Sequence, residues 1–147
     1  MLLKNLIKLK PGNLKLVKIS GLALDSRRIK KGNLFFALKG SKLNGDKFIN
    51  QAIKRGAAAI VCTTRKKVKN YSVPVIKVKN IKESLGYACS KFYKNKPRNI
   101  IAVTGTNGKS SVADFFYQIL LLNKIPVSTI GTLGLKKNNT NKKIGLT

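Results

Sequence analysis

The chain contains no histidine and no tryptophan, and only four of its 147 residues are acidic. Without histidine, the Ser-His and Cys-His pairs that activate many nucleophiles are excluded from these residues, and so is a Cys/His zinc site. The two cysteines, Cys62 and Cys89, do not form a Cys-x-x-Cys pair. Cys62 ends an apolar run and Cys89 lies in a helical pattern, so we expect buried thiols in a reducing compartment.

Long hydrophobic runs are also scarce. Lysine interrupts the apolar residues of segment 1–9 every few positions, so this segment lacks the apolar core of a signal peptide. No stretch of the sequence is long and apolar enough to span a bilayer. The apolar content of 43% is nevertheless sufficient for a packed core. We predict a soluble, cytoplasmic protein that has no membrane partner.

The scarcity of acidic residues leaves a net charge of +27. Such a balance is typical of proteins that bind nucleic acid. The basic residues are mostly lysine, however, and they are scattered along the chain without the interleaved aromatic residues of an RNA-binding surface. We therefore expect no specific nucleic-acid partner. A basic nucleic-acid-binding module remains the alternative, and it predicts affinity that falls steeply with salt and does not depend on Lys109.

One segment points directly to a chemistry. The β-branched run 99–104 leads into the glycine-containing turn 105–108, and the apolar segment 109–123 has the pattern of a helix. This order of strand, turn and helix is the context of a phosphate-binding loop. Val103 stands where the general pattern has its first glycine, so the loop is a variant.

Each part of such a loop has a physical role. Backbone N–H groups surround the phosphates, and the dipole of the following helix favours the same negative charge. Lys109 would supply a mobile positive charge, and the hydroxyl of Ser110 can ligate Mg²⁺.

The rest of the sequence alternates short apolar runs with helical patterns, which predicts an α/β fold. The predicted strands are 14–24, 34–38, 57–62, 73–78, 99–104 and 127–132. The predicted helices are 47–54, 81–93 and 109–123, the first of them capped by Asp46. Segments 99–104 and 127–132 are expected to be parallel, joined by a right-handed crossover. Segment 136–143 is predicted to be a polar loop.

Two further expectations concern single side chains. The aromatic residues at positions 35, 36 and 115–117 are predicted to lie in the core rather than to stack on a ligand. Asp114 is expected to pair with a lysine rather than to act in catalysis.

A domain boundary is predicted at the polar, proline-containing segment 94–98. The domains are then 1–96 and 97–147. About fifty residues are too few to bury both faces of a phosphate-loop sheet. We therefore expect the second domain to be the truncated beginning of a larger one.

The motifs of both domains resemble those of one enzyme family. Thr104-Gly105-Thr106-Asn107-Gly108-Lys109-Ser110 is similar to the ATP loop of the Mur ligases, amide-forming enzymes of peptidoglycan precursor synthesis, which share the missing first glycine. The segments 24–27, 31–40 and 44–57 resemble their UDP-sugar-binding domain. The segments 128–134 and 145–147 resemble the branch of the family that adds the third amino acid of the stem peptide.

The resemblance implies a fold and a reaction. Residues 1–96 would form the small α/β domain that binds UDP-N-acetylmuramic acid, and residues 97–147 would form the first β-loop-α-β unit of the ATP-binding domain. The parent enzyme would be a monomer that uses ATP and Mg²⁺ to form an acyl-phosphate. It would then join diaminopimelate or lysine to UDP-N-acetylmuramoyl-L-alanyl-D-glutamate. This fragment would be inactive alone, and a noncatalytic UDP-sugar-binding remnant is the second alternative.

The resemblance also implies site residues. Lys109 would be catalytic and Ser110 would hold Mg²⁺. The ATP-binding residues would be Gly105, Thr106, Asn107, Gly108, Lys109, Ser110 and Ser111. The UDP-sugar-binding residues would be Leu24, Ser26, Ser41, Lys42 and Thr147.

Overall fold

The computed structural model describes residues 1–8, 16–39, 45–63, 71–137 and 140–142, the last three by their backbone alone. It divides into two compact units, Met1–Lys96 and Pro97–Thr147. The first unit contains a parallel sheet with helices, and the second contains a helix and an antiparallel sheet. The predicted mixed α/β class is therefore confirmed.

A four-stranded, fully parallel sheet organises the first unit. Its strands, in spatial order, are β1 (Gly21–Ala23), β2 (Asn33–Phe36), β3 (Ala59–Cys62) and β4 (Val75–Lys77). Parallel sheets are covered on both faces, so their central strands are continuously apolar. Accordingly, every residue of β2 and β3 is buried.

One face of this sheet packs against helix α2 (Ile81–Phe92). Because successive strand residues point to opposite faces, Phe36 and Val61 lie in the same cluster as Ile81 and Ala88 of the helix. The side chain of Asn80 caps α2 by accepting hydrogen bonds from the backbone N–H groups of the residues two and three positions on, both at 3.1 Å. The helix predicted over 81–93 is confirmed.

The other face packs against helix α1 (Ile49–Lys54). Phe35 and Ile60 of the strands share a cluster with Ile49 and Ala52 of this helix. The prediction that Asp46 caps the helix is wrong. A 3-10 turn over Gly45–Phe48 comes first, and the α-helix then begins after Phe48, which makes no side-chain capping hydrogen bond. Asp46 is therefore too early in the chain to occupy the capping position.

The predicted strands of the first unit are found, but they are shorter. Those over 34–38, 57–62 and 73–78 correspond to β2, β3 and β4. Of the strand predicted over 14–24, only Gly21–Ala23 forms a strand among the described residues, and 9–15 lie outside them.

The second unit contains helix α3 (Lys109–Leu122) and three antiparallel strands in the order β5 (Ser128–Gly131), β6 (Gly134–Lys137) and β7 (Thr140–Lys142). Helix α3 confirms the prediction for 109–123. A tight turn joins β5 to β6, since Gly131 pairs with Gly134.

Three predictions for the second unit are wrong in whole or in part. Residues 99–104 form no strand, and β5, the expected parallel neighbour, pairs instead with the antiparallel β6. A hairpin partner lies close in sequence and costs little chain entropy, whereas a parallel pair needs a long crossover. The polar loop predicted over 136–143 is also wrong in part, because β6 and β7 occupy much of it.

The predicted aromatic core is confirmed only in part. Phe35, Phe36 and Tyr117 are buried, but Phe115 and Phe116 are 63% and 40% exposed. Within the described residues, strands cover one side of α3. Because consecutive helical residues point in different directions, neighbouring aromatic residues of this helix differ in burial.

Candidate functional site

The turn before α3 has the backbone shape of an anion-binding loop. Gly105 and Gly108 have φ angles of 146° and 76°, in the region that side chains disfavour. Gly108 occupies the capping position of the 14-residue helix α3, and no side chain caps the helix. The first N–H groups of α3 therefore have no capping side chain and can receive an anion.

Lys109 folds back over this loop. Its Nζ donates hydrogen bonds to the carbonyl oxygen of Gly105 and, at 2.9 Å, to that of Thr106. The ammonium group is thus held over the glycine turn by neutral acceptors, and a phosphate can replace them with stronger bonds between opposite charges. Thr106 and Asn107 are exposed beside it.

Ser110 lies in the first turn of α3, and its hydroxyl contacts the β5–β6 hairpin. Its Oγ is 2.9 Å from Oγ1 of Thr132. Sequence reasoning missed Thr132, because the two residues are 22 positions apart and only the hairpin brings them together. Ser111 is exposed in the same helical turn.

A cleft runs beside Ser110, between α3 and the hairpin. Asp114 forms an ion pair there with Lys136 and accepts a hydrogen bond from Nε2 of Gln118 at 2.7 Å. The hydrogen bond from Lys136 makes the largest contribution to lowering the pKa of Asp114, and the hydrogen bond from Gln118 lowers it further. The predicted pairing of Asp114 with a lysine is confirmed. The residues that line the cleft are Ser110, Ala113, Asp114, Thr129, Gly131, Thr132, Leu133, Gly134 and Lys136.

The predicted UDP-sugar residues Leu24 and Ser26 lie together in the first unit, at the carboxyl end of β1. A 3-10 turn covers Ser26–Arg28, and Asp25 caps it by accepting a hydrogen bond from the backbone N–H of Arg27 at 2.9 Å. We call residues 25–28 the Asp25–Arg28 turn. Leu24 is 52% exposed, whereas Ser26 is only 5% exposed. The hydroxyl of Ser26 donates a hydrogen bond to Oε1 of Gln51 at 2.6 Å.

The remaining predicted contacts, Ser41, Lys42 and Thr147, lie outside the described residues. Among the described residues next to Ser41 and Lys42 in sequence, the N–H of Gly45 donates a hydrogen bond to the carbonyl oxygen of Leu38 at 2.9 Å.

The Asp25–Arg27 ion pair gives the first unit a dependence on pH. The hydrogen bond from the Arg27 side chain lowers the pKa of Asp25 from 3.8 to about 2. A carboxylate with a depressed pKa stabilises the fold above its ordinary pKa, and this contribution is lost as the pH falls toward the depressed value. We expect wild-type protein to lose more stability than Asp25→Asn between about pH 4 and about pH 2.

Urea unfolding of both proteins over this pH range measures the difference. Asparagine can still cap the turn, so the comparison isolates the charge. The pair is exposed, and the effect is therefore small. A stability difference that stays constant down to about pH 2 would contradict the role given to the carboxylate.

The described part of the chain contains no cluster of three or more His, Cys, Asp or Glu side chains that could hold a metal ion. None of its helices is long and apolar enough to cross a membrane.

The parallel sheet and the glycine-containing loop at the start of α3 define an α/β protein with a candidate nucleotide-phosphate site. Models of two Mur ligase domains match the sequence: "Mur ligase family, catalytic domain" over residues 18–93 and "Mur ligase middle domain" over residues 103–147. The chain belongs to the Mur ligase family. The family resemblance of its motifs is thereby confirmed.

Curated relatives carry one recurring name, UDP-N-acetylmuramoyl-L-alanyl-D-glutamate--2,6-diaminopimelate ligase. The relative from Rickettsia typhi is 42% identical over 119 residues, which are 81% of this chain and 24% of the relative. The relative from Brucella melitensis is 42% identical over 127 residues, 86% of this chain and 26% of the relative. The chain thus spans about a quarter of the length of these relatives.

Solved structures of Mur ligases are similar as well. A structure with the same ligase name has a TM-score of 0.65 and 26% identity, covering 84% of this chain and 26% of that one. A MurF ligase from Thermotoga maritima in complex with ADP has a TM-score of 0.56 and 25% identity, covering 72% of this chain and 24% of that one.

Proposed function

We propose that this chain provides the nucleotide-binding elements of a Mur-type ligase. Residues 97–147 would bind ATP through loop residues 105–111, and residues 1–96 would bind the uridine diphosphate of UDP-N-acetylmuramoyl-L-alanyl-D-glutamate. The reaction is the ATP-dependent addition of the third amino acid, diaminopimelate or lysine. The observation that carries this proposal is the left-handed glycine turn that opens α3 with a lysine ammonium held above it.

The residues of the loop fit a triphosphate. A Cβ atom added at Gly108 would meet nothing within 4 Å, so the backbone there is open to an approaching ligand. Gly105 and Gly108 allow the turn to direct backbone N–H groups toward one point. When bound, ATP supplies the phosphoryl group that activates the substrate carboxylate, and Mg²⁺ offsets its charge.

The side chains of the loop then have separate tasks. The ammonium of Lys109 moves from the carbonyl oxygens of Gly105 and Thr106 to the phosphates and offsets charge on the transferring group. Ser110 offers an oxygen to Mg²⁺. Thr132, 2.9 Å away, orients that hydroxyl.

The uridine nucleotide is assigned to the first unit. The 52% exposure of Leu24 offers an apolar surface for a base. Ser26, in the adjacent turn, offers a hydroxyl oxygen. Ser41, Lys42 and Thr147 would complete the contacts, as the family resemblance implies. Because the substrates are water-soluble nucleotides and amino acids, we infer a cytoplasmic enzyme. The family resemblance implies that the parent enzyme is a monomer.

Calorimetric titration of the 147-residue chain tests this proposal. We expect saturable binding of ATP with Mg²⁺ and of uridine diphosphate at separate sites, so that saturation with one nucleotide leaves the affinity for the other unchanged. A protein that binds uridine diphosphate but not ATP would instead be the noncatalytic remnant. A protein that binds only nucleic acid, with strongly salt-dependent affinity, would contradict the proposal.

A further inference from the structure

Helix α1 holds the Asp25–Arg28 turn through two side chains. Oε1 of Gln51 accepts the hydrogen bond from Ser26, and Nη1 of Arg55 donates to the carbonyl oxygen of Arg27 at 3.2 Å. Gln51 lies inside the helix and Arg55 occupies its C-terminal capping position. Residues four positions apart lie on the same helical face, so one face of α1 contacts two successive residues of the turn.

Apolar packing fixes the distance between α1 and the turn. Ala23 and Ile29 flank the turn in sequence, and both belong to the same buried cluster as Ile49 and Ala52 of the helix. The helix and the turn are therefore anchored to one core. The hydrogen bond between Ser26 and Gln51 therefore costs little additional conformational entropy, because the helix and the turn are already held in place.

This hydrogen bond also determines whether the Ser26 hydroxyl can donate to a ligand or accept from it. A serine hydroxyl has one proton to donate and two lone pairs that accept. The proton is directed to Gln51, and at 5% exposure the residue has little contact with water. Toward a ligand, Ser26 is left to act as an acceptor.

We propose that Gln51 is a positioning residue of the uridine-nucleotide site. It fixes the Ser26 hydroxyl as an acceptor for an N–H or O–H donor of the bound nucleotide, such as the uracil imide or a ribose hydroxyl. Arg55 holds the neighbouring peptide group in place. The inference rests on the proposed uridine site in the first unit, and Gln51 acts through Ser26 without itself contacting the nucleotide.

A double-mutant cycle on the full chain tests this role, with uridine diphosphate as the probe and calorimetry as the measurement. Removal of one hydrogen bond is expected to weaken binding by about 3- to 10-fold in Gln51→Ala and in Ser26→Ala. Because the two residues act as a unit, the double variant should bind no more weakly than Ser26→Ala. Asn50→Ala, an exposed neighbour on the same helix, is the matched control and should bind like wild type.

A second variant separates positioning from folding. In Gln51→Glu the carboxylate still accepts the Ser26 proton, so binding of uridine, a probe without phosphate charge, should stay within about 3-fold of wild type. Thermal unfolding confirms that each variant is folded at the titration temperature.

Two results would overturn the inference alone: wild-type affinity for uridine diphosphate in Gln51→Ala, or additive losses in the double variant. Failure of the wild-type chain to bind uridine diphosphate would remove the proposed uridine site and the inference with it.

Discussion

Replacement of Lys109 by alanine is expected to weaken ATP binding by about 10- to 100-fold, which corresponds to the loss of hydrogen bonds to a charged group. The ammonium group sits over the glycine turn, where it donates to the carbonyl oxygens of Gly105 and Thr106. No other side chain of loop residues 105–111 carries a positive charge. Calorimetric titration with ATP and Mg²⁺ measures the change.

The matched control is Lys96→Ala, which removes the same charge from an exposed position outside the loop. Because the chain carries a net charge of +27, loss of one lysine outside the loop should change ATP affinity by less than about 2-fold at physiological salt. Equal effects of the two substitutions would show that ATP binds to the diffuse basic surface rather than to the loop. Uridine diphosphate affinity should be unaffected in both variants.

Replacement of Gly45 by alanine is expected to destabilise the first unit by about 2–3 kcal/mol. A Cβ atom at this position would lie 2.4 Å from the carbonyl oxygen of Leu38 and 2.5 Å from the carbonyl carbon of Ala37. Both neighbours are backbone atoms, so no side-chain rotation relieves the overlap. Urea unfolding measures the change in the free energy of unfolding. Loss of the adjacent Gly45–Leu38 hydrogen bond should also weaken uridine diphosphate binding.

Gly86→Ala is the control for this substitution. Gly86 lies within α2, and a Cβ atom there would meet nothing within 4 Å. Alanine is the better helix former, so this variant should be more stable than wild type by about 0.5–1 kcal/mol. Similar stability of the two variants would contradict the close packing described at Gly45.

Much of the first unit could be predicted from its sequence because its signals are local. The apolar runs that contain Phe35 and Ile60 have the length and composition of buried strands, and both are strands. Helix α2 was predicted from its apolar spacing. The start of α1 was not predicted, because the 3-10 turn over Gly45–Phe48 is held by the close contact of Gly45 with Leu38, which is not visible in a local pattern.

The second unit shows where local signals fail. The run that contains Ile100 and Ile101 has strand composition, yet it forms no strand among the described residues. A strand requires a hydrogen-bonded neighbour, and β5 pairs with β6 through a short hairpin. Sequence composition indicates which residues suit a strand but not which partner they find.

The candidate sites could likewise be predicted only where their residues lie close together in the sequence. The glycine turn and Lys109 could be identified because a phosphate loop is continuous in sequence. The contact of Ser110 with Thr132 and that of Ser26 with Gln51 join residues 22 and 25 positions apart. Only the folded chain brings these pairs together.

The most direct test is an NMR titration of the labelled chain with ATP and Mg²⁺, followed through the backbone amides. We expect saturable shifts concentrated at loop residues 105–111, lost in Lys109→Ala, with the amides of the Asp25–Arg28 turn unchanged. Small, non-saturating shifts spread over the lysine-rich surface, with the loop amides unmoved, would contradict the assignment of this loop as an ATP site.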